Sequence, residues 1–156
     1  MNFQKIVVAT DFSESSLAAL ETAYDLGFQE GRTLYLVHVM EPYLVAGDPT
    51  AMLHPSVEKT YQEARDRLQA LIPEEWIDEE RAKSIVVKPS VLTASSPAQA
   101  ITRFAQEKNA DLVIVGTHGR KGLARMLMGS TAESLLRRSP CPVLVVKHKV
   151  LAAAVA

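Results

Sequence analysis

The chain has 156 residues, 47% of them apolar and 22% charged, with a formal net charge of −1. That length suits one domain with a sizeable core, the composition excludes intrinsic disorder, and the near-zero charge supplies no overall field to draw the molecule to nucleic acid or an anionic membrane. One cysteine, Cys141 between two prolines, excludes an internal disulfide and reads as a small apolar residue in a reducing, cytoplasmic setting.

Lys5 to Ala9 predicts a first strand. Thr10-Asp11-Phe12 turns the chain, and Ser13 is the N-cap candidate for a helix from Glu14 to about Gln29. Leu17, Leu20, Tyr24 and Phe28 recur at three- and four-residue steps and form its expected buried face, with Gly31 as its stop. Thr33 to Met40 predicts the second strand. Glu41 to Pro55 is a long connection with Pro42, Gly47, Pro49 and Pro55, of a length that is often functional. Ser56 to Leu71 predicts a polar-faced helix ended by Pro73, against which Trp76 is expected to pack. Ser84 to Leu92 predicts a third strand, placed at a sheet edge by Pro89. Ser96-Pro97-Ala98-Gln99 has the form of a capping box, opening a helix to about Lys108 with Ile101, Phe104 and Ala105 inward. A fourth strand, Leu112 to Val115, a glycine-rich loop, a helix over Ala132 to Arg138 and a fifth strand, Val143 to Lys147, complete the pattern. Alternating strands and helices imply a parallel sheet with right-handed crossovers.

The loop is the stretch with chemistry in it. Gly116, Gly119, Gly122 and Gly129 punctuate it, and His118, Arg120, Lys121 and Arg125 lie within it with no acid. Glycines let backbone N–H groups approach an anion, and a helix N-terminus adds donors and a positive dipole end, so this is the composition of a phosphate cradle. Neither the P-loop string nor the dinucleotide fingerprint Gly-x-Gly-x-x-Gly is present. The spacing that is present is Gly116-x-x-Gly119, nine residues, then Gly129-Ser130.

That spacing resembles the signature of the ATP-binding branch of the universal stress protein family. Ile6-Val7-Val8-Ala9-Thr10-Asp11-Phe12-Ser13, Leu36-Val37-His38-Val39 and Ser139-Pro140-Cys141-Pro142-Val143-Leu144-Val145-Val146 agree with it, so the likeness spans nearly the whole chain. The resemblance implies an α/β fold: one doubly wound, Rossmann-like domain of the adenine nucleotide alpha-hydrolase type, with a five-stranded parallel sheet of order 3-2-1-4-5. On that plan residues 1–148 form the nucleotide-binding domain and 149–156 a short apolar tail, too short to span a bilayer. The order puts a topological switch between strands one and four, where ligands of open α/β sheets bind.

The resemblance also assigns roles. Ala9 and Thr10 would line the pocket wall, and Asp11 would meet the ribose or a Mg2+ ion carried on the phosphates. The backbone of Val39 would read the adenine edge, with Val115 and Gly116 facing the ribose. Gly119, Gly129, Ser130 and Thr131 would hold the phosphates, with His118 and Arg120 nearby. Turn formation by Asp11 and N-capping by Ser130 are the competing structural roles, and His38 and His54 are read as structural. The expected ligand is ATP, or ADP or AMP, and the expected assembly is a homodimer through the Val143–Val146 strand. The expected function is that of a cytoplasmic stress-response module acting on a regulatory partner. The chain carries no recognisable catalytic constellation, so an ATPase or phosphotransferase is the alternative.

Overall fold

A computed structural model describes residues 3–27, 31–42, 55–74, 85–117 and 128–148. The elements are β1 (Lys5–Ala9), α1 (Glu14–Gly27), β2 (Arg32–Met40), α2 (Pro55–Gln69), β3 (Ile85–Thr93), α3 (Pro97–Lys108), β4 (Leu112–Gly116), α4 (Ser130–Arg138) and β5 (Val143–Val146). The strands form one sheet of order β3-β2-β1-β4-β5, parallel at every described pairing. The Pro89 strand, β3, lies at the edge, as its missing N–H requires.

Period-two alternation divides the strands between two cores. Ile6, Val8, Leu34, Leu36, Leu112 and Ile114 pack under α1 and α2, with Leu20 and Leu68. Val7, Ala9, Tyr35, Val37, Val113 and Val115 pack under α3 and α4, with Ile101, Phe104 and Leu135. The central strands β1, from Ile6 onward, and β4 are therefore apolar and buried, because both of their faces are covered.

The α1 face corrects one expectation. Ala19, Leu20 and Ala23 are buried, while Leu17 and Tyr24 are only partly so, and Phe28 lies outside the described residues. Alanines serve because the helix runs close to β4. A Cβ on Gly116 would stand 2.5 Å from the Ser15 carbonyl oxygen, so the glycine at the strand end admits the helix backbone. At the opposite end of the sheet, Asp111 Oδ2 accepts the backbone N–H groups of Gln4 and Lys5 at 2.9 and 2.8 Å, fastening β4 to β1.

Several boundaries differ from expectation by one or two residues. α4 starts at Ser130, two residues earlier than the apolar pattern indicates, and β5 ends at Val146. Ser96 is the N-cap of α3 with Pro97 behind it, but its side chain makes no capping hydrogen bond. Trp76, His54 and residues 149–156 lie outside the described residues.

Candidate functional site

The chain reverses its direction of sheet growth between β1 and β4, and a notch forms there. Ala9, the last residue of β1, pairs with Val37 and with Val115. Thr10 N–H makes one more rung, to the Val37 carbonyl at 2.8 Å. β2 continues through His38, Val39 and Met40, beyond the end of β1. Backbone groups alternate sides along a parallel strand. Those of Val39 therefore share the β1 side with Val37, past the last rung, and the Met40 carbonyl turns the other way to accept Ala94 N–H at 3.0 Å. On the other flank, Val113 and Thr117 donate to Pro142 and Val146 of the β5 side, so Gly116 presents its backbone towards β1. Val39 and Gly116 thus face the same lane from opposite sides.

The floor of the notch is the turn from β1 into α1. Ser16 Oγ donates to the Ser13 carbonyl at 2.9 Å, so across the 3.0 Å contact between Thr10 Oγ1 and Ser16 Oγ the Thr10 hydroxyl is the donor. Thr10 Oγ1 also accepts Phe12 N–H at 3.0 Å. Asp11 Oδ1 accepts Ser13 N–H at 3.0 Å, which is the turn-forming role set beside the functional one. Ser13 Oγ accepts Ser16 N–H at 3.4 Å, the N-cap expected of it. His38, read as structural, is buried and makes a 2.8 Å bond from Nδ1 to the Thr10 carbonyl. A carbonyl only accepts, so Nδ1 carries the proton.

The third wall is the start of α4. Its N-cap is Gly129, not Ser130, and no side chain caps it. Gly129 N–H donates to the Thr117 carbonyl at 2.6 Å, tying the helix entrance to the end of β4. Ser130 and Thr131 are the first residues of the helix, where backbone N–H groups lack intrahelical partners. Met128 packs on the same apolar cluster as Ala9, Val39 and Val115.

The structure therefore gathers Ala9, Thr10, Asp11, Val39, Val115, Gly116, Gly129, Ser130 and Thr131 around one crevice. Two receive roles the sequence reading did not give them. Gly116 is required by the α1 backbone, and the Gly129 N–H is engaged by Thr117, leaving the space of its missing side chain as its contribution. His118, Gly119 and Arg120 lie outside the described residues, as do Lys121 and Arg125. Sequence reasoning missed the cavity of about 320 Å³ beyond the β2 and β3 ends, lined by Met40, Val57, Tyr61 and Thr93 with Glu41 and Glu58. Its one sequence signal is the long connection after Glu41. Cys141 sits away from the crevice, partly buried on the α3/α4 cluster, and burial raises its thiol pKa, which disfavours the thiolate. Among the described residues no group of three or more His, Cys, Asp or Glu could hold a metal ion.

Fold and crevice together define an open doubly wound α/β protein, a class in which ligands bind at the topological switch point. Residues 2–147 match the model of the universal stress protein family, and the chain belongs to that family. It is 32% identical over 149 residues to universal stress protein MJ0531 of Methanocaldococcus jannaschii, across 93% of this chain and 82% of that protein. The structure of protein MJ0577 from the same organism matches with a TM-score of 0.78 at 26% identity, covering 96% of this chain and 99% of that one. A universal stress protein crystallised in complex with cAMP matches with a TM-score of 0.58 at 26% identity, covering 96% of this chain and 100% of that one.

Proposed function

We propose that this protein binds an adenine nucleotide, with ATP the foremost candidate, in the crevice between the ends of β1 and β4. The observation that carries the reading is the notch itself. A main-chain donor and acceptor on Val39 overhang the end of β1, and the glycine-capped start of α4 opens beside it. Adenine offers an acceptor and a donor side by side, which a strand backbone can read. Phosphate suits an uncapped helix N-terminus. The related protein that holds cAMP supports an adenine nucleotide as the ligand class. Asp11 is the acidic residue assigned to the ribose, or to Mg2+ arriving on the phosphates.

On this reading the protein is a stress-response binding module of one domain, cytoplasmic, whose nucleotide occupancy is read by a partner. Pairing of two copies through β5 accompanies it. The sequence offers no evident general base, so on this reading nucleotide is held for longer than it is turned over. Mass spectrometry of small molecules released from the purified protein tests the ligand class. An adenine nucleotide near one per chain is expected, and a protein that neither carries nor takes up adenine nucleotides contradicts the reading. Single-turnover assays with labelled ATP and magnesium separate the two modes. Retention of intact ATP fits the module, and turnover on the scale of roughly 10 per second, the enzyme median, fits an ATPase.

A further inference from the structure

Phe12 is the one residue of the β1–α1 turn that pays a backbone cost: its φ is 64°, in the left-handed region that side-chain-bearing residues avoid. A glycine would satisfy that φ without strain. The aromatic ring explains the choice, because it fills a gap between two other elements. The Arg67 guanidinium of α2 lies over it, 3.8 Å from the ring centroid. The buried His38 ring of β2 contacts it at a centroid distance of 4.6 Å, tilted 47°. His38 is itself fixed to the Thr10 carbonyl. The residues on both sides of Asp11 are thus held from outside the turn, Thr10 by His38 and Phe12 by His38 and Arg67.

We infer that Arg67, Phe12 and His38 form a clip that positions Asp11 for its ligand, and that through it α2 is energetically coupled to the crevice. This rests on the nucleotide reading above. The clip acts on the ligand through Asp11 and not by direct contact. Asp11 is separated from β1 by Thr10 alone, and its carboxylate already makes the local bond to Ser13 N–H. A side chain held this way reaches a ribose or a phosphate-bound cation without first ordering the turn, and preorganisation of that kind raises affinity. Cation–π contact with an exposed guanidinium is modest in strength, which suits a contact that adjusts occupancy without being needed for folding. Coupling is reciprocal, so ligand at Asp11 also tightens the hold of the turn on α2.

The test uses the whole chain and three variants, Arg67→Ala, Arg67→Lys and Phe12→Gly. Two readouts are taken, ATP affinity by titration calorimetry and amide hydrogen exchange at Phe12 and Ser13 by NMR. Arg67 is exposed, so its truncation leaves the thermal midpoint near that of the parent. Arg67→Ala is expected to weaken ATP binding about threefold and to speed exchange in the turn, with Arg67→Lys restoring part of both. Phe12→Gly, which relieves the strained φ while removing the ring, is expected to weaken binding about tenfold. Wild-type affinity and wild-type exchange in both Arg67→Ala and Phe12→Gly overturn the clip while leaving the nucleotide reading intact. A parent protein that binds no adenine nucleotide overturns that reading and the inference with it.

Discussion

Gly116 shows how a single atom decides the shape of the crevice. Its Cβ position is occupied by the α1 backbone, with Ser15 C and Ser16 N at 2.6 and 2.8 Å as well as the Ser15 oxygen. None of these is the end of a flexible side chain, so Gly116→Ala must push α1 away from β4. A loss of about 1–3 kcal/mol in stability is expected from urea denaturation. A fully stable variant would show that the helix is free to shift. Tyr24 gives a pH-dependent effect at the same scale. Its hydroxyl donates to the Leu71 carbonyl at 2.8 Å, and burial raises its pKa from 10.0 to about 12. The neutral phenol is thus favoured in the folded chain. Its stabilisation is complete below the unfolded pKa of 10.0 and is lost as pH rises towards about 12. Tyr24→Phe should therefore reduce the fall in thermal midpoint between those pH values, and an unchanged alkaline slope would contradict the assignment.

At the scale of elements, β5 is an edge with its bonding already divided. The carbonyls of Pro142 and Val146 face β4, and alternation then turns the backbone groups of Val143 and Val145 outward. Leu144 is exposed on this short apolar strand, and Leu136 is exposed on α4. An unprotected apolar edge invites pairing, which is the physical basis of the proposed homodimer. Val145→Pro removes an outward donor without taking a bond from the β4 ladder. The expected result by light scattering at micromolar concentration is a shift from dimer to monomer with the fold retained. A parent that is already monomeric, or a variant that stays dimeric, rejects pairing by this edge. The start of α4 obeys the same kind of logic. Reading Ser130 as the N-cap follows from residue preferences, yet Gly129 takes that place because its N–H ties to Thr117, a long-range bond that no local pattern announces.

For the molecule as a whole, the fold was legible because its signals are local and repeated. Segments of four to nine residues rich in apolar and β-branched side chains mark the strands, and Pro89 marks the edge. The strand order came from the family likeness, and pairing confirms it. The glycine spacing pointed to the crevice, and the sheet brings Asp11 and Gly116 to it from distant parts of the chain. What could not be read was whatever depends on two elements meeting. Alanines rather than leucines face β4 because α1 approaches closely. Asp111 fastens two backbone N–H groups, of Gln4 and Lys5, at the start of β1. Arg67 covers Phe12 from the polar side of a helix whose sequence names no partner for it. Each is a tertiary contact between residues whose types suit many other roles.

The proposed nucleotide would set its phosphate at the start of α4, and Ser130 is the position that isolates that contact. Ser130 is exposed at the first helical residue, with no side chain capping the helix. An aspartate there complements the helix dipole, worth about 0.3–1 kcal/mol in favour of the fold. The same carboxylate repels a phosphate. Calorimetric titration of ATP into the parent and into Ser130→Asp is therefore the decisive measurement. One saturable site per chain is expected in the parent, and affinity at least about tenfold lower in the variant, with a thermal midpoint equal or higher. Equal affinity in Ser130→Asp, or no saturable binding in the parent, would contradict this placement of the phosphate.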